Sequence, residues 1–119
     1  MKIIFVVDDN VVNLAAAKKI LVDNGYRVFT LHSAAKMFDL FSKITPDLIL
    51  LDIEMPETDG FAAIEKLKAD ERTANIPVVF LTASTDPEIE AKGLKLGAAD
   101  FVLKPFSAPD LMKRIGDIL

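Results

Sequence analysis

At 119 residues the chain has the length of one domain, which on folding buries roughly two-thirds of the surface its unfolded form exposes. Hydrophobic residues make up 51% of it and charged residues 27%, a balance that argues for a packed globule and against disorder. The net charge of -4 offers no basic footprint for a nucleic-acid backbone or an anionic membrane; the lack of cysteine excludes disulfides, thiolate catalysis and Cys-ligated zinc; and the single His32 cannot build a zinc site alone.

Met1-Lys2 and the apolar run after it are too short for a secretory h-region and end in two aspartates, so the start is read as a buried strand, Ile3 to Val7. No stretch approaches the roughly 20 apolar residues that span a bilayer. A helix is predicted from about Val11 to Asp23, with Leu14, Ala17 and Leu21 on one face and Gly25 placed to end it in a left-handed conformation. The second strand is Arg27 to Leu31. Ser33 then caps a helix that presents Met37, Phe38, Phe41 and Ile44, and Thr45-Pro46 stops it.

The third strand, Leu48 to Leu51, is apolar at every position, as a central strand covered on both faces would be, and it ends at Asp52. The segment Glu54 to Gly60 is turn chemistry: Pro56 fixes one dihedral, and Asp59-Gly60 opens a helix to about Lys68. Pro77 leads into the strand Val78 to Leu81. Asp86-Pro87 has the arrangement of an N-cap followed by proline at the first helical position, and Gly97 closes that helix. The last strand is Phe101 to Leu103, and Ser107 with Asp110 has capping-box spacing at the start of a final helix.

Five short apolar runs alternating with helix-period segments predict parallel strands joined by crossover helices: a single α/β domain with a doubly wound sheet. Four of the runs end in residues that phosphoryl chemistry uses: Asp8-Asp9, Asp52, Thr82-Ala83 and Lys104-Pro105. In an open parallel sheet the carboxyl ends of the strands share one edge, so these residues can converge there.

Taken singly, each has a plainer role. An Asp-Asp pair after a strand is most simply a solvated turn that caps the next helix. Lys104 alone is a surface lysine, and Thr82 alone is a β-branched strand residue whose functional role requires its hydroxyl to face Asp52. Together they make more chemical sense. Three clustered carboxylates would raise one another's pKa values unless a cation intervened, and an oxygen-only ligand set suits Mg²⁺. A carboxylate nucleophile, a metal, a lysine and a hydroxyl form a phosphoryl-transfer site, and with no glycine-rich nucleotide loop the phosphoryl group must come from an already activated donor.

The sequence resembles a response-regulator receiver domain of two-component signalling. The resemblance rests on VVDDN at Val6 to Asn10, LLDIEMPETDG at Leu50 to Gly60, LTA at Leu81 to Ala83 and ADFVLKPF at Ala99 to Phe106, and it covers essentially the whole chain, residues 1–119. It implies a flavodoxin-like (βα)5 fold with strand order 2-1-3-4-5 and Asp52 as phosphoacceptor at the switch point. Asp8, Asp9, Asp52 and the backbone carbonyl of Glu54 would hold Mg²⁺. Thr82 would bond a phosphoryl oxygen on activation, Lys104 would pair with it, and the Lys104-Pro105 bond would be cis. Phe101 matches the family's switch aromatic, and Ala83 leaves room for the shift.

The resemblance further implies a phosphoprotein of the cytoplasm, with a histidine kinase or histidine phosphotransfer domain as donor, docking near Asn13 and Phe106, and an unidentified output domain or protein. The output surface would lie around Leu94 to Phe101 and Asp110 to Arg114; its plain alternative is ordinary helix exterior, with Lys92, Lys95 and Lys113 as solvated charges. Direct nucleic-acid or membrane contact is not implied, and the domain would be a monomer or a phosphorylation-linked dimer. Glu54 and Ser84 occupy positions that tune phosphoryl lifetime in this family. The domain would catalyse only its own phosphorylation and dephosphorylation.

Two other functions compete. A phosphohydrolase with an aspartate nucleophile usually needs Asp-x-Asp after one strand, whereas here Asp8-Asp9 and a lone Asp52 are apart. A constitutive interaction module would leave the acidic, hydroxyl and basic set unused. Both a free-standing receiver and a piece of a larger regulator or hybrid kinase fit a sequence that ends with its fifth predicted helix.

Overall fold

The computed structural model describes residues 1–55 and 59–119; Pro56, and with it the dihedral expected to shape the turn before Asp59, lies outside the described residues. In chain order the elements are β1 (Ile3–Val7), α1 (Val11–Asp23), β2 (Arg27–Leu31), α2 (Ala34–Leu40), β3 (Leu48–Asp52), α3 (Gly60–Ala69), β4 (Val78–Thr82), α4 (Pro87–Lys95), β5 (Asp100–Leu103) and α5 (Ala108–Ile118). The strands form one sheet in the order β2-β1-β3-β4-β5, with parallel pairing at every junction. This is the doubly wound, flavodoxin-like arrangement expected from the sequence.

Strands that are apolar at nearly every position make sense once both sheet faces are covered. Ile4, Val6, Leu48, Leu50, Val79 and Leu81 point to the side where Leu14, Ala17 and Leu21 of α1 and Leu111 and Ile115 of α5 pack. Phe5, Val7, Ile49, Leu51, Val78 and Phe80 point to the other side and meet Met37 of α2 and Ala63, Ile64 and Leu67 of α3. The strand order reverses between β1 and β3, from which the sheet is built outward on either side, so the crevice lies where those two parallel strands end.

Local sequence chemistry sets the helix ends. Asn10 caps α1, its side-chain oxygen accepting from the Val12 N–H at 2.9 Å and the Asn13 N–H at 3.1 Å, so the capping role open to Asp8-Asp9 is filled by their neighbour. Gly25 and Gly97 adopt φ of 90° and 107°, the left-handed conformation that ends a helix at little cost without a Cβ. Asp59 caps α3 and Asp86 caps α4.

Two expectations differ from the structure in detail. The helix after Ser33 ends at Leu40, short of Ile44. The Ser42 hydroxyl donates to the Asp39 carbonyl at 3.0 Å and the chain turns there, yet Phe41 and Ile44 still pack on the core, so the buried face extends further than the helix. At α5 only half a capping box forms: the Asp110 N–H donates to the Ser107 hydroxyl at 3.2 Å, while the Asp110 carboxylate accepts from Arg114 Nε at 3.0 Å. The aspartate, one methylene shorter than the usual glutamate, turns to the arginine instead.

Candidate functional site

Three strand ends place four charged groups together. Asp8 follows β1 and is fully buried; one carboxylate oxygen accepts from the Asn10 N–H at 2.9 Å, and the other accepts from the Asn13 amide at 3.2 Å and faces Lys104 Nζ at 3.5 Å. Asp9 beside it is exposed. Asp52, the last residue of β3, is 1% exposed, and its Oδ1 accepts from Lys104 Nζ at 2.9 Å and from the Glu54 N–H at 3.1 Å. Among the described residues no hydrogen bond reaches Oδ2 of Asp52. One carboxylate oxygen from each of Asp8, Asp9 and Asp52 lies within 4.8 Å of the others.

Lys104 reaches this corner because its backbone N–H donates to the Thr82 carbonyl at 2.8 Å, extending the β4–β5 ladder by one step, and the next peptide, Lys104-Pro105, is cis. Its side chain is only 16% exposed. Burial pushes the Asp52 carboxyl up to about 6 from an ordinary 3.8, and the charge of Asp8 adds to the rise; the hydrogen bonds from Lys104 and Glu54 hold it back. On Lys104 burial alone would pull the ammonium down, but its bonds and attractions to Asp52 and Asp8 together carry it above the ordinary lysine value.

Thr82 is 3% exposed and sits on the same sheet face as Phe80, one step further along β4. Its hydroxyl accepts from the Ser84 N–H at 3.0 Å, a local bond that leaves it unattached to Asp52 or Lys104 in the described contacts. The side chain borders a cavity of about 180 Å³ that Ile89, Phe101 and Leu103 also line. Phe101 is half-buried against Phe80, with ring centroids 5.6 Å apart. Ala83, Glu54 and Pro105 are exposed at the rim, and Phe106 packs under α1 and α5. Val11 and Val12, exposed by 64% and 71%, form an apolar ridge on the first turn of α1 beside the acids.

A larger cleft of about 490 Å³ lies elsewhere, between the end of α2 and α3, lined by Phe38, Phe41, Lys66 and Asp70 among others. It holds none of the acids Asp8, Asp9 and Asp52, and Asp70 is already paired with Arg72 at 2.9 Å. Asp8, Asp9, Asp52 and Lys104 line neither this cleft nor the cavity beside Thr82.

Two positioning glycines escape a reading of the sequence. A Cβ on Gly60 would stand 2.7 Å from Ile53 Cα and 2.8 Å from the Asp52 carbonyl oxygen, so this residue lets α3 close onto the strand end that carries Asp52. A Cβ on Gly93 in α4 would overlap the Phe101 ring. In the sequence Gly60 is visible only as turn chemistry, and Gly93 only as a poor helix former.

The chain matches the family model described as response regulator receiver domain over residues 4–116. It is 39% identical over 112 residues to a probable cyclic di-GMP phosphodiesterase of Vibrio cholerae, covering 94% of this chain and 25% of that protein. Hybrid signal transduction histidine kinase D of Dictyostelium discoideum is 36% identical over 118 residues, 98% of this chain and 8% of the kinase. The chain therefore spans a quarter or less of these two relatives' length. Among solved structures, chemotaxis protein CheY4 of Vibrio cholerae superposes with a TM-score of 0.94 at 28% identity, covering 100% of this chain and 99% of that one.

Proposed function

The chain belongs to the response regulator receiver domain family, and on that premise we propose that it is a phosphoacceptor module, residues 1–119 forming one receiver domain, that takes a phosphoryl group onto Asp52 and converts it into a changed protein-binding surface. The observation that carries this reading is the division of labour on the Asp52 carboxylate: Oδ1 is held by Lys104 at 2.9 Å and by the Glu54 N–H at 3.1 Å, while no hydrogen bond among the described residues engages Oδ2. A carboxylate fixed through one oxygen presents the other in a defined direction, which is what a nucleophile needs.

Oδ2 attacks phosphorus, the bond from phosphorus to the donor nitrogen breaks, and the leaving imidazole keeps the electron pair and takes a proton from solvent. Lys104, released from the carboxylate as its charge is transformed, is within reach of the incoming phosphoryl oxygens and offsets their charge. The Thr82 hydroxyl leaves its Ser84 N–H to donate to one of those oxygens, and this rotation couples the site to Phe101. Phosphorylation adds close to two negative charges, and differential contacts with them bias a two-state element.

The donor set fits a divalent cation: three carboxylate oxygens within 4.8 Å of one another, hard ligands with room for water. Asp8, Asp9 and Asp52 would hold Mg²⁺, with the Glu54 carbonyl as a further oxygen ligand, and the ion would neutralise charge at the acceptor. The donor in this reading is a histidine kinase or histidine phosphotransfer domain, seated near Asn13 and Phe106. The output is an unidentified domain or protein, with no direct nucleic-acid or membrane contact, and the module works in the cytoplasm as a monomer or a phosphorylation-linked dimer. No described helix is long and apolar enough to cross a membrane.

Incubation with acetyl phosphate and Mg²⁺ tests the reading. A mass gain of one phosphoryl group that Asp52→Asn removes supports it. Continuous turnover of small phosphate esters would instead mark a phosphohydrolase, and an unmodified protein would mark a constitutive binding module.

A further inference from the structure

Gly93 is buried in the last turn of α4, and a side chain there has no room. A Cβ on it would overlap Phe101 Cζ and stand 3.1 Å from both Phe101 Cε2 and Phe80 Cδ2. The bare backbone of α4 is thus a notch, and the Phe101 ring lies in it against Phe80. The same ring borders the cavity of about 180 Å³ that reaches Thr82, Ile89 and Leu103. Two seats for one aromatic ring therefore adjoin: the notch, now filled, and the cavity beside Thr82.

The occupied seat goes with the resting arrangement of the site. The Thr82 hydroxyl is held by the Ser84 N–H, and Lys104 is held by Asp52. Glycine within a helix is unfavourable relative to alanine, so α4 keeps a residue that weakens it in return for a place to lodge the ring.

We propose that Gly93 is a positioning residue that holds the Phe101 ring in its resting seat, so that the size of the side chain at position 93 sets how much of the protein already occupies the activated arrangement before phosphorylation. This rests on the reading of Thr82 and Phe101 as switch residues. A methyl group at position 93 removes the first seat. Phenylalanine turns about its χ1 torsion, and the cavity of about 180 Å³ is the space that adjoins its ring, whereas Phe80 on the other side of the methyl is fully buried in close packing. The ring therefore moves.

Gly93→Ala tests this by proton NMR and by phosphorylation rate. In the unphosphorylated variant the new methyl at position 93 should show no strong ring-current shift from Phe101, and the Overhauser contact between the Phe101 ring and the Thr82 methyl should be stronger than in the parent. With acetyl phosphate and Mg²⁺ the variant should be phosphorylated at least about threefold faster, because a state that the modification favours is already populated. In a Phe101→Leu background, where a smaller side chain clears the notch, Gly93→Ala should leave the rate unchanged and raise the thermal midpoint, as an ordinary glycine-to-alanine change in a helix does.

A methyl at position 93 still packed against the ring, with α4 displaced instead, would overturn the proposal. So would a rate effect that persists without the Phe101 ring. If acetyl phosphate fails to modify even the parent, the phosphoacceptor reading falls, while the Overhauser contacts of the unphosphorylated proteins still decide where the ring sits.

Discussion

Replacing Asp52 with asparagine should stabilise the metal-free protein at neutral pH and do nothing for it in acid. The carboxyl is pushed up from 3.8 to about 6 by burial and by Asp8, a difference of roughly 3 kcal/mol between its two protonation states. The site opens to solvent at Asp9, and screening there reduces the attainable gain to about 1–2 kcal/mol. The sign follows from linkage. The folded-state value lies above the unfolded one, so the stabilising contribution is complete below about pH 4 and is lost as the pH rises through about 6, when the buried carboxyl must ionise.

Asparagine is a permanent mimic of the protonated form. Urea unfolding of parent and variant in chelator should therefore give a difference of about 1–2 kcal/mol at pH 7 that shrinks towards zero by about pH 4. Added Mg²⁺ should reverse the order at neutral pH, because ligand that binds only the folded state stabilises it and the variant has lost one ligand oxygen. A variant less stable than its parent at pH 7 without metal, or a difference that ignores pH, would refute the electrostatic account.

Gly60→Ala forces a methyl group against the Ile53 Cα and the Asp52 carbonyl; overpacking of this kind costs about 1–3 kcal/mol by chemical denaturation, and the variant should also be phosphorylated more slowly. Lys68 buries its stem over Gly97 and donates to the carbonyls of Ala74 and Ile76 at 3.0 and 3.1 Å, and burial lowers its pKa. Lys68→Met should leave those carbonyls without that donor, cost about 1–3 kcal/mol, and speed amide exchange around Ile76 and Val78. Arg114 bridges Asp100 at 2.8 Å and Asp110 at 3.0 Å, but its side chain is 39% exposed. Arg114→Gln should cost less than about 1 kcal/mol and the loss should fade in high salt, as thermal melts at two ionic strengths would show.

The architecture is legible in the sequence because its signal is redundant. Each strand is a short apolar run, each helix has a visible start or stop, and a strand as uniformly apolar as Leu48 to Leu51 has few places to go except the middle of a covered sheet. The convergence of Asp8, Asp9, Asp52 and Lys104 follows from that topology, since strand ends are fixed once the order is fixed. Details that depend on a side chain's torsion or reach are not legible. The helix after Ser33 reads too long because Phe41 and Ile44 keep the apolar period while the backbone turns under them. Asp110 looks like a capping-box partner by spacing, but its reach and the competing Arg114 decide otherwise. The hydroxyl of Thr82 turns to Ser84, a choice that no periodicity records. Gly93 reads as a helix weakness until the Phe101 ring is seen in its space.

The buried Asp8 carboxylate also has a mechanical meaning. Its oxygens are gripped from the Asn10 backbone, from the Asn13 amide on the first turn of α1, and from Lys104 beyond β5. That turn cannot roll about its axis without breaking the Asn13 link, so the ridge of Val11 and Val12 stands at a fixed height and azimuth over the acidic corner. A surface seated on those two valines inherits its alignment from the acid beneath, much as a plug is keyed by a pin it never touches.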